Sequence, residues 1–186
     1  MAAVIPTNGL GIDAGLDIAG GNLTFTTADK GVHLGVTSAT AANLMDDYEE
    51  GTFTPTLNGS AGAPSGVSYS VRTGSYVKVG NVVTVHCYLQ SSSMSSVPSG
   101  GLTITGLPFT IKDLSNSYPA AVVGYCNNFA TTEAPQAGYG SNDTTIINMS
   151  GNASSDGRNN INDLITCSNA MDGDELLLVS MTYRST

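Results

Sequence analysis

Apolar and polar residues alternate with a period of two along most of this chain. In the first 38 residues, the apolar positions are separated mainly by Gly, Asp, Ala and Thr. They are Leu10, Ile12, Leu16, Ile18, Leu23, Phe25, Val32, Leu34 and Val36. A period of two places alternate side chains on one face of a strand. We therefore predict short strands here, broken at Gly20–Gly21 and at Asp29–Gly31.

From Gly51 onward the same pattern predicts about eight strands, because apolar runs recur between turns rich in Gly, Ser, Asn and Pro. The predicted strands are Thr52–Leu57, Ser75–Val79, Val82–Leu89, Leu102–Thr105, Ala120–Tyr125, Thr144–Met149, Ile161–Ile165 and Leu176–Tyr183. Only Ser38–Met45 has helical propensity, enough for one turn. Such a chain is typical of an antiparallel β-sandwich or jelly roll. The predicted fold is all-β, with an extended N-terminal β arm at residues 1–50 and a jelly-roll-like sandwich head at residues 51–186.

The predicted arm has too few large side chains to close a core of its own. It needs a partner, and an identical copy of the chain is the simplest one. We predict a homotrimeric stalk, with an arm laid on a neighbouring protein as the alternative. The predicted contact residues are Leu10, Ile12, Leu16, Ile18, Leu23 and Phe25.

Composition narrows the classes of function. The chain carries a formal net charge of −9 and only six Lys plus Arg, which are scattered. Such a surface repels phosphate backbones, so we expect no direct nucleic-acid binding. The first residues lack a basic segment followed by a long apolar run, so we expect neither a signal peptide nor a membrane span.

Cys87, Cys126 and Cys167 are odd in number and widely spaced. Cys87 and Cys126 also lie inside apolar strand-like runs. These features favour buried free thiols over a disulfide framework or a zinc site, and free thiols fit synthesis in a reducing cytoplasm. We predict no cofactor.

Four carboxylates crowd together at Asp46, Asp47, Glu49 and Glu50. Oxygen ligands of this kind bind divalent cations, but the Gly-centred loop and ligand spacing of an EF-hand are absent. We predict no metal site. The favoured interpretation is a solvated acidic elbow between arm and head, or one that faces Lys30 or Arg72 of a neighbouring subunit.

The sequence contains no recognisable catalytic constellation. His33 and His86 are the only histidines, and neither a Gly-x-Ser-x-Gly elbow nor a Cys–His signature accompanies them. Four acidic residues on one connector do not form the paired carboxylates across a groove that glycoside hydrolysis needs. We therefore predict a protein that is not an enzyme.

Tyrosines and asparagines in the predicted head are candidates for sugar binding, because amphipathic aromatic side chains stack and also hydrogen-bond. The predicted glycan contacts are Tyr118, Tyr125, Tyr139 and Asn142. Ordinary cross-strand packing of tyrosine in sheets is the alternative.

Three stretches carry a resemblance to a known group of proteins: Leu44–Leu57, Gly74–Val85 and Gly101–Phe109. Together they resemble a module of tailed-phage virion fibre and decoration proteins, especially those of marine phages and cyanophages. The resemblance covers most of residues 44–110. It implies a viral surface protein, and it also favours a trimer.

From pattern and resemblance together we predict a trimeric capsid decoration or cement protein on the virion head surface. A tail fibre normally carries a long shaft, whereas the fibre-like pattern here begins almost at Met1. The predicted partners are the major capsid protein or other virion proteins, and a host glycan. The alternative is a tail-fibre or receptor-binding tip that recognises host surface polysaccharide. A third hypothesis, a polysaccharide depolymerase, lacks paired acids in a plausible cleft.

Overall fold

A computed structural model describes residues 23–27, 30–33, 44–45, 47–129, 133–151 and 163–186. The chain divides into two compact units, residues 1–46 and 47–186. In the first unit, β1 (Val32–His33) pairs antiparallel with β2 (Leu44–Met45). The end of the predicted helical turn is therefore a strand, and Ser38–Asn43 lie outside the described residues.

Of the predicted arm contacts, only Leu23 and Phe25 lie within the described residues, and both side chains are exposed. Leu10, Ile12, Leu16 and Ile18 lie outside that part. The assignment of an arm at residues 1–50 and a head at 51–186 stays a prediction.

In the second unit, the described residues form ten strands and one short helix, α1 (Cys167–Ala170). The strands are β3 (Tyr48–Phe53), β4 (Thr56–Gly59), β5 (Ser68–Val79), β6 (Val82–Ser93), β7 (Leu102–Thr105), β8 (Ala120–Asn127), β9 (Pro135–Gly140), β10 (Ile146–Gly151), β11 (Asp163–Leu164) and β12 (Leu176–Arg184). They form one sheet in the order β3-β5-β6-β12-β8-β9-β10-β7-β4, with β11 paired to β10. All of these pairs are antiparallel.

The two edge strands of this sheet are neighbours in sequence. Only Thr54 and Pro55 separate β3 from β4, although these strands lie at opposite ends of the sheet order. The sheet must therefore curl until its edges approach each other. The predicted single strand Thr52–Leu57 is wrong, because proline has no N–H to continue a ladder and the chain crosses from one edge to the other at Pro55.

The structure confirms an all-β, antiparallel fold. The strands form one continuous curled sheet, and the jelly-roll sandwich is not confirmed. Buried apolar side chains fill the inside of the curl, as β6 shows, where Val83, Val85 and Leu89 are fully buried and Val82 is exposed. This alternation is the expected pattern for a sheet with one face in a core.

One strand was missed by sequence reasoning. β9 has the sequence Pro-Gln-Ala-Gly-Tyr-Gly, so it lacks the large apolar residues that mark a strand. Its glycines serve packing, because a Cβ at Gly140 would lie 2.6 Å from the Ile111 Cδ1 and 2.7 Å from the Pro119 Cγ. Glycine at position 140 is therefore required by tertiary packing, which the alternation of apolar and polar residues does not reveal.

Residues 111–112 lie at the start of the loop of residues 112–119. Backbone hydrogen bonds join them to two different neighbouring segments. The Ile111 amide donates to the Thr144 carbonyl at 2.8 Å, and the Lys112 amide donates to the Arg184 carbonyl at 2.8 Å. This segment therefore extends the sheet between the turn before β10 and the end of β12.

Candidate functional site

Two exposed tyrosines contact each other: Tyr118 lies on the 112–119 loop, and Tyr139 lies on β9. The Tyr118 and Tyr139 ring centroids lie 5.7 Å apart, at an interplanar angle of 74°. Tyr118 is 60% exposed and Tyr139 is 36% exposed. Edge-to-face packing of this kind orients both rings, while both residues remain partly exposed. We call Tyr118 and Tyr139 the tyrosine pair.

Asn142 supports the loop that carries Tyr118. Its Nδ2 donates to the Asp113 Oδ1 at 2.9 Å and to the Ser117 carbonyl at 3.2 Å. Asp113 also accepts the Ser115 amide at 2.9 Å. The Asn142 Oδ1 is buried and has no hydrogen-bond partner among the described residues. Asn142 therefore positions the loop, and its amide is not an open surface contact.

Tyr125, the remaining predicted glycan contact, lies away from the tyrosine pair. Tyr139 is opposite Ala120 at the start of β8, whereas Tyr125 is five residues further along that strand and opposite Leu178. Five residues of strand span about 17 Å. The structure thus brings together Tyr118, Tyr139 and Asn142, and it separates Tyr125 from them.

Sequence reasoning missed two adjoining depressions on the outer face of the sheet. One, of about 320 Å³, lies over β5, β6, β12 and β8, and the other, of about 470 Å³, lies over β3, β5 and β6. Both are lined by Ser75 and His86. Gly124, at the bulge where β8 pairs with β12, leaves part of this surface open. Ser75, His86 and Gly124 form no sequence motif, so the sequence carried no signal for the depressions.

The described carboxylates of the acidic stretch have partners within their own unit. Asp47 forms an ion pair with Lys78, Glu49 accepts from the Tyr76 hydroxyl, and Glu50 accepts from the Tyr48 hydroxyl at 2.9 Å. The hydrogen bond to Glu49 raises the pKa of Tyr76. No cluster of three or more metal-ligating side chains occurs in the part of the chain that the structure describes.

Arg72, one of the two cations considered as a partner of this stretch from a neighbouring subunit, forms a hydrogen bond within its own unit. Its Nε donates to the Pro55 carbonyl at 2.9 Å.

All three cysteines are free thiols, and Cys87 and Cys167 are buried. Burial raises the pKa of Cys87 to about 12 and that of Cys167 to about 11. Thiols with such values are poor nucleophiles at neutral pH. Cys87 and Cys167 pack as core residues, whereas Cys126 is half-buried.

None of the helices within the described residues has the length and apolarity needed to cross a bilayer. The chain matches no family model.

Two known proteins are similar to this chain. A capsule KN4-specific depolymerase of Klebsiella phage K64-1 is 32% identical over 79 residues, which are 42% of this chain and 10% of that protein. The crystal structure of the Dettilon tailspike protein gp208 superposes with a TM-score of 0.54 at 20% identity, over 75% of this chain and 24% of the tailspike. The chain thus spans a tenth of the curated relative that it matches.

These similarities support a phage virion fibre or tail protein. The prediction of a protein that is not an enzyme is wrong, because the curated protein similar to this chain is a capsule depolymerase. The predicted capsid decoration role finds no support, and the tail alternative is favoured instead.

Proposed function

We propose that this chain is a glycan-binding module of a phage tail protein that degrades host capsular polysaccharide. The tyrosine pair is its contact surface. The observation that supports this role is an exposed pair of rings, 5.7 Å apart, one on β9 and the other on a loop that side-chain hydrogen bonds hold in place.

The chemistry of the pair suits a sugar chain. The faces of pyranose rings carry C–H groups that stack on aromatic rings, while tyrosine hydroxyls can exchange hydrogen bonds with sugar hydroxyls. A pre-organised pair loses little conformational entropy on binding, because tyrosine has few rotatable bonds and the loop is already ordered. The similarity to a capsule-specific depolymerase supplies the ligand class.

We further propose that the module acts as a homotrimer on the phage tail, with the N-terminal arm in the contact between copies. Leu23 and Phe25 are 56% and 45% exposed, so apolar surface is available for a partner. Mass in solution, measured by light scattering, tests the trimer for the full chain and for the Leu23→Ser and Phe25→Ser variants. A monomeric full chain would contradict this assignment.

Binding to purified capsular polysaccharide tests the glycan role. The probe is purified Klebsiella capsule of type KN4, for which the similar depolymerase is specific, with capsule of another type as the negative control. We expect Tyr118→Ala and Tyr139→Ala each to weaken binding about fivefold, equivalent to losing ~1 kcal/mol of stacking.

Tyr48→Ala is the matched control, because Tyr48 is also an exposed tyrosine, at 59%, but lies on β3. Tyr125→Ala tests whether the distant tyrosine contributes separately. Equal binding by Tyr118→Ala, Tyr139→Ala and the unchanged chain would refute the proposed function of the pair.

A further inference from the structure

A cavity of about 270 Å³ lies on the side of the 112–119 loop where the loop meets the end of β12. Its lining combines apolar, hydroxyl and cationic side chains. They are Val82, Ile111, Lys112, Leu114, Ser117, Pro119, Thr182, Tyr183 and Arg184. Ligand cavities usually measure about 300–1,000 Å³, so this volume suits one sugar residue of a chain better than a long segment.

The accessible apolar surface of the cavity comes from its rim. Val82 and Leu114 are 41% and 40% exposed, and Pro119 is half-buried. Ile111 and Tyr183 also line the cavity, but they are buried and offer little surface to a ligand. Exposed apolar side chains beside polar groups are a usual arrangement for binding a small polar ring.

The two cations of the rim lie side by side. The Lys112 amide donates to the Arg184 carbonyl at 2.8 Å, so the two residues are neighbours on adjacent segments. Both side chains are exposed. Both residues therefore bring a positive charge to the same part of the rim, where a bound anion would be attracted to both.

The other described cations of residues 47–186 are already engaged. Lys78 pairs with Asp47, and Arg72 binds the Pro55 carbonyl and the Thr56 hydroxyl. Asp113 follows Lys112 in the chain, but its Oδ1 accepts from Asn142 and Ser115. Within the described part of the chain, Lys112 and Arg184 have no ion-pair partner. In a chain of net charge −9, two unpaired cations in one cavity indicate an anionic ligand.

We infer that this cavity binds an acidic sugar residue, whose carboxylate lies between Lys112 and Arg184 and whose ring packs on the exposed apolar side chains of the rim. The inference rests on the proposed glycan-binding function and specifies its substrate class. Ser117 lines the cavity and Tyr118 follows it in the chain, so the 112–119 loop contributes both to the cavity and to the tyrosine pair. Two neighbouring residues of one polysaccharide would occupy the two places.

The test is a titration of the isotope-labelled full chain with sodium D-glucuronate, D-glucose and inorganic phosphate, followed by NMR. We expect glucuronate to shift the amide signals of residues 111–118 and 182–185 in a saturable manner. Glucose and phosphate should each bind at least about fivefold more weakly, since one lacks the carboxylate and the other lacks the ring.

Lys112→Gln and Arg184→Gln should each reduce glucuronate affinity about fivefold, through loss of a charge-assisted contact. Lys30→Gln is the matched control, because it removes the same charge from an exposed lysine outside the cavity. Equal affinity for glucuronate and glucose would overturn the inference. Phosphate binding as tight as glucuronate binding would overturn the choice of a sugar in favour of a simple anion site.

The same titration of Tyr118→Ala and Tyr139→Ala separates this inference from the proposed function. If these variants lose capsule binding but retain glucuronate binding, both proposals stand. If capsule fails to bind the unchanged chain while glucuronate still binds the cavity, the proposed function fails and the acidic-ligand site stands.

Discussion

The Leu57 backbone amide donates a hydrogen bond to the Tyr69 hydroxyl at 3.2 Å. Leu57 belongs to β4, one edge of the curled sheet, and Tyr69 belongs to β5, next to the other edge. Arg72, also on β5, binds the Pro55 carbonyl and lies 5.0 Å from the centroid of the Tyr69 ring. Side chains of β5 thus satisfy the polar groups of β4 that no neighbouring strand reaches, which is how this fold protects its edge.

Tyr69→Phe should lower the free energy of unfolding by about 1 kcal/mol or more, because it leaves the amide of a fully buried residue without a partner. Urea denaturation followed by circular dichroism measures the change. The matched control is Tyr88→Phe, since Tyr88 is also a half-buried strand tyrosine but has no hydroxyl hydrogen bond among the described contacts. Equal stability of the two variants would show that the Tyr69 hydroxyl contributes nothing to closing the sheet.

Gly140→Ala should destabilise the chain by about 1–3 kcal/mol, because the added Cβ would overlap Ile111 and Pro119. The same change should disturb the 112–119 loop and weaken capsule binding, although residue 140 carries no functional group. Gly124→Ala is the control, since a Cβ there would meet only the Leu178 carbonyl oxygen, at 3.9 Å. Gly140→Ala should therefore unfold at a lower temperature than Gly124→Ala and should also bind capsule more weakly. Equal unfolding temperatures would contradict the packing role of Gly140.

Glu175 is fully buried and anchors the turn before β12. Its Oε1 accepts the Asp172 and Gly173 amides at 2.5 and 2.7 Å, and its Oε2 accepts the Ser91 hydroxyl at 2.7 Å. Glu175→Gln should cost about 1–3 kcal/mol of stability, because an amide of the same size cannot accept all three donors and loses the charge.

Asp174→Asn, one residue earlier and exposed, is the matched control for Glu175→Gln. A hydrogen bond with Asp172 raises the pKa of Asp174, so its charged form gains no stability from folding. Removing that charge should leave the unfolding midpoint unchanged or slightly higher. A loss of stability as large as that of Glu175→Gln would contradict the role given to the buried carboxylate.

Stability should fall in alkaline solution. Burial raises the pKa of Cys87 from 9.0 to about 12 and that of Tyr183 from 10.0 to about 12. The folded state keeps these protons where the unfolded state loses them, so the contribution is complete below pH 9 and is lost as pH rises toward about 12. Urea unfolding at a series of pH values measures the slope. Cys87→Ala should show a shallower fall, whereas an unchanged slope would contradict this assignment.

The same thiols should resist labelling in the native state. Cys126 is half-buried, with its Sγ 3.4 Å from the Pro135 carbonyl, whereas Cys87 and Cys167 are buried. Iodoacetamide followed by mass spectrometry should modify Cys126 first, and all three residues after denaturation. Early labelling of Cys87 would show that its strand opens more easily than its burial implies.

The sequence could indicate the tyrosine pair as a candidate site, but it could not indicate the cavity. The tyrosine pair was accessible to sequence reasoning because aromatic residues beside Asn and Ser are conspicuous. The cavity was not, because Lys112 and Arg184 are 72 residues apart in the chain. Their proximity comes from the pairing of residues 111–112 with the end of β12.

By itself, the sequence determined the all-β class and most strand positions of residues 51–186, because a period of two is a local property of the chain. Tertiary structure alone decided that β3 and β4 lie at opposite edges and that the Gly-rich β9 is a strand. It also decided that the 112–119 loop brings Tyr118 to Tyr139 and Lys112 to Arg184. These features depend on which distant segments pair and how closely they approach. The physical reason is that alternation specifies which face of a strand is buried, while the neighbour of each strand is set by long-range hydrogen bonding and packing.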